Sequence, residues 1–253
     1  MNASIGLDIG STSTKAVLLH DGVMDYAITP TGWSPRNAGE HLMKQMMDTH
    51  GLTRTQVGAV ITTGYGRTAL TGADQAITEI TCHARGAAHL IPGIDTIVDI
   101  GGQDSKVIKV TSVGKVKDFL MNDKCAAGTG RFLGVMATAM GLDVSELGNQ
   151  SVSKPATITN MCTVFAESEV IGLLAQGAEK ASVIGGLHDA VARRTVAMVN
   201  RLGPYHRVIF TGGVALNPGV RRSLEKELGI PIEVPPHCQL AGAIGAALIG
   251  LDG

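Results

Sequence analysis

The feature that most constrains the fold is a pattern that occurs twice: an apolar strand with an aspartate near its end, a glycine turn, and a second strand. The first copy is Leu7-Asp8-Ile9-Gly10, and the second is Val98-Asp99-Ile100-Gly101-Gly102. Since strands and helices surround both copies, the repetition predicts two related α/β domains with a cleft between them. We place the boundary at residues 91–95. The domains are then 1–94, completed by a C-terminal helix at 240–253, and 95–239.

Hydrophobic periodicity and turn residues predict the individual elements. Apolar runs and alternation predict strands at residues 4–8, 15–20, 23–29, 57–62, 96–100, 105–110, 115–120, 207–210 and 230–234. Helical periodicity predicts helices at residues 38–50, 78–91, 128–140, 167–176, 183–202, 217–228 and 241–249. Mixed elements in this order indicate a layered α/β architecture.

Composition argues against several classes of function. The 21 basic and 22 acidic residues give a net charge of -1, so neither a nucleic-acid interface nor a membrane surface is expected. We expect no signal peptide and no membrane span, because no segment approaches the ~18 consecutive apolar residues that a span needs. Four cysteines are too few for a disulfide scaffold, which favours a cytoplasmic protein with reduced thiols. The 33 glycines, roughly twice the usual share, indicate tight turns around a ligand.

The first motif is Asp8-Ile9-Gly10-Ser11-Thr12-Ser13-Thr14-Lys15. A glycine turn between strands lets backbone N–H groups approach a phosphate, hydroxyls and a lysine add donors, and an aspartate holds Mg²⁺ through water. The motif lacks the Gly-x-x-x-x-Gly-Lys-Ser/Thr spacing of a Walker loop. Taken alone, it is equally compatible with an ordinary hairpin turn.

Two further motifs follow the same logic. Asp99-Ile100-Gly101-Gly102-Gln103-Asp104-Ser105-Lys106 repeats the acid, the glycine turn and the polar side chains. Phe210-Thr211-Gly212-Gly213-Val214-Ala215-Leu216-Asn217 ends a strand in a Gly-Gly turn, against which a flat nucleoside can lie. Each one also fits a structural glycine turn. Three such motifs in this order are much more specific than any one of them.

Together, the motifs resemble those of the actin-like ATPase superfamily, whose ribonuclease H-like domains place two phosphate loops and one adenosine loop around a nucleotide cleft. The resemblance implies that Asp8 and Asp99 position Mg²⁺. It also implies that Gln103 or Asp104 orients the attacking water, in a reaction driven by positioning and charge neutralisation. The nucleotide-binding residues that it implies are Gly10, Ser11, Thr12, Ser13, Thr14, Lys15, Gly101, Gly102, Gly212, Gly213 and Asn217, with Gln239 and Gly242 at the start of the last helix near the adenine.

Two cysteines each come just before a predicted helix. They lie in Met121-Asn122-Asp123-Lys124-Cys125-Ala126-Ala127-Gly128-Thr129-Gly130-Arg131-Phe132 and in Met161-Cys162-Thr163-Val164-Phe165-Ala166-Glu167-Ser168-Glu169. A helix N-terminus favours a thiolate and an anionic cluster. Two cysteines are half of the thiolates that a cubane cluster needs, and a twofold dimer supplies the other half. From the cysteines alone, two buried structural thiols are the more common explanation.

The residues around both cysteines closely resemble the activators of 2-hydroxyacyl-CoA dehydratases and the related ATPase subunits of benzoyl-CoA reductases. Similar segments along nearly the whole chain are Thr63-Gly64-Tyr65-Gly66-Arg67, Glu79-Ile80-Thr81-Cys82-His83-Ala84 and Gly242-Ala243-Ile244-Gly245-Ala246-Ala247. The resemblance implies a homodimer in which Cys125 and Cys162 of each subunit hold one bridging [4Fe-4S] cluster. It also assigns Gly128, Thr129 and Gly130 to the cofactor site.

The same resemblance implies that ATP drives a one-electron transfer to a partner iron–sulfur protein. That partner would be a 2-hydroxyacyl-CoA dehydratase, a reductase or a double-cubane cluster protein, and ferredoxin or flavodoxin would supply the electron. Domain closure on the γ-phosphate would control the transfer. Two other classes remain open. One is a small-molecule kinase with Asp104 as its base, which leaves both cysteine motifs unexplained; the other is a nucleotide sensor without useful turnover.

Overall fold

The computed structural model describes residues 3–149 and 154–253. Its strands are β1 (Ala3–Ile9), β2 (Ser13–His20), β3 (Val23–Pro30), β4 (Ala59–Thr63), β5 (Gln75–Ala76), β6 (Thr96–Ile100), β7 (Ser105–Val110), β8 (Val116–Asn122), β9 (Val208–Thr211) and β10 (Ile232–Glu233). Its helices are α1 (Pro35–Thr49), α2 (Glu79–Leu90), α3 (Gly130–Ala139), α4 (Thr163–Ala175), α5 (Lys180–Arg201), α6 (Pro218–Leu228) and α7 (Ala241–Asp252). Short 3₁₀ turns lie at Arg54–Gln56, Val144–Asn149, Gly213–Leu216 and Cys238–Leu240.

The chain divides into two compact units. Unit 1 comprises the chain up to Asp95, Val110–Lys117 and Gln239–Gly253, and unit 2 comprises Thr96–Lys109 and Asp118–Cys238. Unit 1 is built around a five-stranded sheet in the order β3-β2-β1-β4-β5, and unit 2 around one in the order β10-β9-β6-β7-β8. Both sheets are mixed, since the first strand of each is antiparallel to one neighbour and parallel to the other.

The two units repeat the same register around their aspartates. Asp8 pairs with Lys15 across β1 and β2, and Asp99 pairs with Lys106 across β6 and β7. On the parallel side, Asp8 is level with Thr63 of β4 and Asp99 is level with Thr211 of β9. The duplication seen in the sequence is therefore also a duplication of strand pairing.

Unit 1 packs helices on both faces of its sheet because side chains alternate along β1. Ile5 and Leu7 are fully buried in a cluster that includes Leu42 and Met46 of α1. Gly6 faces the other side, where a Cβ would lie 2.1 Å from the Ala243 carbonyl oxygen of α7. A glycine at this position lets α7 rest directly on the strand.

Helices α2 and α7 pack against each other through backbone. A Cβ at Gly86 would lie 1.9 Å from the Ala241 carbonyl oxygen, and one at Gly245 would lie 1.7 Å from the Cys82 carbonyl oxygen. Real Cβ atoms do not approach so closely, so both positions require glycine. The small-residue composition of the last helix is thus explained by this close packing.

Unit 2 has the larger apolar core. Phe132 of α3 and Phe210 of β9 are fully buried, together with Leu187 of α5 and Leu224 of α6. With few aromatic residues available, the rest of this core is mainly aliphatic. The first turns of α3 and α4, which follow Cys125 and Cys162 in the chain, pack against this core.

Most predicted elements are present, with informative differences at their ends. Helix α1 begins at Pro35 rather than at residue 38, because Ser34 caps it and proline suits the first helical position. Helix α4 begins at Thr163 rather than at residue 167, with Cys162 at the N-cap. The two-residue strand β5 was not predicted, since two residues carry no periodicity. Among the described helices, none combines the length and apolarity that a membrane span requires.

Candidate functional site

The loop that the sequence predicts to be the first phosphate loop is centred on Asp8, which is buried near the end of β1. One oxygen, Oδ2, accepts a hydrogen bond from Lys15 Nζ at 3.3 Å. The other oxygen, Oδ1, is buried and has no hydrogen-bond partner among the described residues. A buried carboxylate oxygen without a partner is unfavourable unless a ligand completes it. Asp8 is therefore a candidate ligand for a cation or for water bound to one.

Glycine backbone lies close against the Asp8 carboxylate on two sides. A Cβ at Gly64 would lie 2.5 Å from Oδ1, and one at Gly242 would lie 3.2 Å from Oδ2. Gly64 also has a φ of +85°, which favours glycine. The carboxylate thus lies against bare backbone in unit 1. The oxygen without a partner is of the type that Mg²⁺ or its bound water prefers, since both favour carboxylate oxygens.

The turn after β1 is held in one conformation by hydrogen bonds. The Gly10 N–H donates to the Ser13 carbonyl oxygen at 3.2 Å, and Thr31 Oγ1 donates to the Gly10 carbonyl oxygen at 2.7 Å. Ser11 and Thr12 at the tip are exposed. Thr14 is buried and bonds to Thr31 rather than facing the loop. The predicted strand–turn–strand loop is present, and its exposed donors are those at the tip.

The second loop repeats this arrangement around Asp99. Lys106 Nζ lies 2.9 Å from Asp99 Oδ2, and Thr211 Oγ1 donates to Asp99 Oδ1 at 3.0 Å. Lys106 also pairs with Asp104, whose carbonyl oxygen accepts from the Gly101 N–H at 2.9 Å. Both Asp99 oxygens are therefore engaged, unlike those of Asp8.

Lys106 is a site residue that the sequence reasoning did not assign, although it lies in the second motif. Its side chain is almost completely buried, between the carboxylates of Asp99 and Asp104. The signal was available, since Lys106 follows Asp99 at the same spacing at which Lys15 follows Asp8. Asp104 was predicted to orient water, and in the structure it is held by Lys106. Gln103 is half-buried beside it.

The Gly-Gly turn after β9 has a counterpart in unit 1. Gly212 has a φ of +87°, and a Cβ there would lie 2.8 Å from Asp99 Oδ1. Gly64 occupies the equivalent position after β4, against Asp8. In each unit a positive-φ glycine follows the parallel strand and lies against the aspartate. Gly213 then begins a 3₁₀ turn.

Asn217 has a local structural contact. Its Oδ1 accepts hydrogen bonds from the Gly219 and Val220 N–H groups at 2.9 and 3.1 Å, which makes it the N-cap of α6. Only its amide nitrogen is left for other partners, and that atom lies 3.5 Å from His188 Nε2. Gln239, also assigned to the nucleotide, is half-buried in the 3₁₀ turn before α7.

The two candidate cluster ligands are exposed free thiols in unit 2. Cys162 is the N-cap residue of α4. Cys125 does not directly precede a helix, because α3 begins at Gly130 rather than at residue 128. The intervening residues form a turn in which Gly128 has a φ of +77°. The helix-terminus argument therefore applies to Cys162 and only weakly to Cys125.

The remaining two cysteines are buried. Burial raises the pKa of the Cys82 thiol to about 11, so this thiol stays protonated at neutral pH. A thiolate is the form that binds metal. Exposure thus separates Cys125 and Cys162 from Cys82 and Cys238, and two accessible thiols per chain fit a cluster completed by a second chain.

Backbone hydrogen bonds join the second loop to the Cys125 segment within unit 2. The Gly130 N–H donates to the Gly101 carbonyl oxygen at 2.9 Å, and the Arg131 N–H donates to that of Gly102 at 2.8 Å. Thr129 is buried, and its Oγ1 donates to the Ala126 carbonyl oxygen at 2.6 Å. These bonds satisfy N-terminal groups of α3 that have no acceptor inside the helix.

Two α/β units, each with an aspartate and lysine around a strand–turn–strand loop, define an actin-like ATPase fold. The chain belongs to the BadF/BadG/BcrA/BcrD ATPase family, whose model matches residues 5–250. It is 44% identical to a 2-hydroxyisocaproyl-CoA dehydratase activator of Clostridioides difficile, over 98% of this chain and 95% of that protein.

Two solved structures are also similar to this chain. One is (R)-2-hydroxyglutaryl-CoA dehydratase component A of Acidaminococcus fermentans, with a TM-score of 0.93, 42% identity, and coverage of 100% of this chain and 98% of that one. The other is an activator of 2-hydroxyisocaproyl-CoA dehydratase from Clostridium difficile with bound ADPNP. Its TM-score is 0.89 at 43% identity, and the match covers 99% of this chain and 94% of that one.

Proposed function

We propose that this protein is an ATP-dependent activator that hydrolyses ATP and donates single low-potential electrons to a partner iron–sulfur enzyme. The observation that carries the proposal is the pair of hydrogen bonds from Gly130 and Arg131 to the second phosphate loop. They join a loop of the ATPase fold to the segment that contains Cys125. We propose that a change at the loop reaches the Cys125 segment through this backbone contact, which involves no flexible side chain.

The ATP part of the proposal rests on the two loops. Ser11 and Thr12 supply exposed donors for phosphate, and Asp8 has a free oxygen for Mg²⁺ or its water. Asp99, held by Lys106, is the corresponding acid in unit 2. The dehydratase activator with bound ADPNP supports nucleotide binding by this fold. Gln103 is our candidate for orienting the attacking water, because Asp104 is already paired with Lys106.

The electron-transfer part rests on Cys125 and Cys162. Both thiols are exposed, and each chain supplies half of a cubane ligand set. We therefore propose a homodimer with one shared [4Fe-4S] cluster, which would supply one-electron chemistry when bound. The protein's own contribution is to present two thiolates and to move the Cys125 segment with the second loop.

The partner follows from the relatives. Similar proteins are named as activators of the dehydratase of a 2-hydroxyacyl-CoA, 2-hydroxyisocaproyl-CoA, so a dehydratase or reductase of related chemistry is the proposed electron acceptor. A double-cubane cluster protein fits the same role. Ferredoxin or flavodoxin is the proposed electron source, since the electron must arrive singly and at low potential.

Anaerobic preparation of cysteine variants tests the cluster assignment. We expect Cys125→Ala and Cys162→Ala each to abolish the iron–sulfur absorbance and to reduce bound iron at least tenfold, because the dimer then lacks two of four thiolates. The buried-thiol variant Cys238→Ala is the matched control and should keep its iron. Full cluster content in either exposed-thiol variant would show that the ligands lie elsewhere. A wild-type protein without iron that phosphorylates a hydroxyl compound would instead indicate the kinase alternative.

A further inference from the structure

Unit 2 contains a pocket of about 920 Å³ that involves neither phosphate loop nor the Gly-Gly turn. Its walls are the end of β8, the segment at residues 157–161, and one face of α5. The volume is within the range of ~300–1,000 Å³ that is typical of small-molecule sites. The pocket is thus large enough for a ligand of its own.

All the charged residues that line the pocket are basic. Arg193, Arg194 and Arg201 of α5 line it, and none of its lining residues is acidic. Arg194 Nε is buried without a hydrogen-bond partner among the described residues. Arg193 Nη2 donates a hydrogen bond to the Ile158 carbonyl oxygen at 3.2 Å. This bond attaches the segment at residues 157–161 to α5. Arginine in a concave site is suited to binding carboxylate or phosphate in a forked geometry.

The spacing of the arginines limits the shape of the ligand. Arg194 and Arg201 are two helical turns apart, which is about 10 Å along the axis of α5. Between them the pocket is lined by Ala197 and Met198, and Met121 contributes a further apolar side chain from β8. A ligand that satisfies both arginines therefore has an anionic group near each end and an apolar middle.

We propose that this pocket binds a small, elongated dianion with a carboxylate or phosphate at each end. Arg194 and Arg201 bind the two ends, and Arg193 holds the wall at Ile158. The site adjoins the Cys125 segment, because a Cβ at Gly128 would lie 3.0 Å from Arg194 Cδ. It also adjoins Cys162, since Met161 lines the pocket. Binding at this site does not require that the cysteines hold a cluster.

Isothermal titration calorimetry of the purified protein in saturating MgADP tests the proposal, with the nucleotide sites already filled. The probes are linear dicarboxylates from succinate to sebacate, matched monocarboxylates, and alkyl bisphosphonates of equal length. We expect affinity to rise with chain length until the anionic groups are about 10 Å apart. Tighter binding of the dicarboxylate or of the bisphosphonate identifies which anion the site prefers.

Arginine variants test which side chains bind the dianion. Arg194→Gln and Arg201→Gln should each weaken binding of the best probe at least tenfold, whereas Arg221→Gln, at a half-buried arginine of α6 outside the pocket, should leave that binding unchanged. Arg201 is exposed, so its variant should fold normally. The proposal is overturned if no dianion binds at millimolar concentration, or if the affinity does not depend on the length of the dianion.

Discussion

The Gly130 N–H donates a hydrogen bond to the Gly101 carbonyl oxygen at 2.9 Å, which fixes the first turn of α3 to the second phosphate loop. A Cβ at Gly130 would lie 3.2 Å from that oxygen, so the contact is already tight. Two backbones that meet without side chains between them have little freedom to move independently. We regard this contact as the element that couples nucleotide to the Cys125 segment.

Gly130→Val tests this coupling. In a Cys162→Ser background without cluster, we expect the rate at which maleimide labels Cys125 to differ between the ADP-bound and ADPNP-bound forms. The branched side chain should push α3 away from Gly101 and reduce that difference severalfold. Gly134→Ala is the matched control on the same helix, because a Cβ there meets nothing within 4 Å. An unchanged nucleotide dependence in Gly130→Val would exclude this route.

Asp8→Asn tests the proposed cation ligand. The substitution preserves shape but removes the charge beside the free Oδ1 position. We expect the ATPase rate to fall by about 10²-fold or more, as for loss of a preorganised charged group, and the Mg²⁺ concentration needed for half-maximal rate to rise. Steady-state phosphate release over a Mg²⁺ titration measures both. Asp48→Asn, an exposed residue of α1, should behave as wild type; equal rates in both variants would remove Asp8 from the site.

His188 should make stability depend on pH. Burial, with a smaller effect of Arg222, lowers the pKa of His188 from 6.5 to about 4. Between these values the unfolded chain binds a proton that the folded chain does not, so stability falls as the pH drops through this window. The loss should be roughly 3 kcal/mol by pH 4.

Urea unfolding at a series of pH values measures the slope of the free energy of unfolding against pH. His188→Gln should flatten the dependence between pH 6.5 and 4, whatever its effect on absolute stability. The exposed His41 of α1 provides the control, since His41→Gln should retain the wild-type slope. If both variants keep that slope, His188 is not the titrating group.

Gly245→Ala tests the packing of α7 on α2. The added methyl would meet the Cys82 carbonyl oxygen at 1.7 Å, so the helices must separate. We expect a loss of about 3 kcal/mol or more, at the upper end of overpacking effects. Gly134→Ala, in open space, should be neutral or slightly stabilising. Coincident denaturation curves for the two variants would rule out the close contact.

Much of the fold was predictable because its signals are local. The alternation in β1 and β2, the glycine turn between them, and the periodicity of α5 depend on residues near one another in the chain. Helix caps are harder to predict from the sequence than periodicity is. The predicted start of α1 at residue 38 omits the cap Ser34, and nothing in the sequence marks Cys162 as the N-cap of α4, since cysteine is uncommon at that position.

The site was predicted only in part. The three Gly-rich motifs and the two exposed cysteines were identified from their sequences. The sequence places Gly64 only within a segment that resembles the family, and the second motif by itself assigns no role to Lys106. Their contacts with Asp8 and with Asp99 depend on strand pairing rather than on local pattern. The expected helix start next to Cys125 was wrong, because Gly128 at positive φ forms a turn there.

Local sequence patterns account for the duplicated strand–turn–strand loops, the order of strands and helices, and the residue types that we propose to bind phosphate and iron. Packing between distant segments decides which carboxylate oxygen lacks a partner, which thiols are exposed, and which backbone groups join the second loop to α3. The difference lies in the sequence separation of the residues that interact. Periodicity and turn chemistry act within a few residues, whereas burial and the Gly101–Gly130 hydrogen bond arise only when segments 29 residues apart pack together.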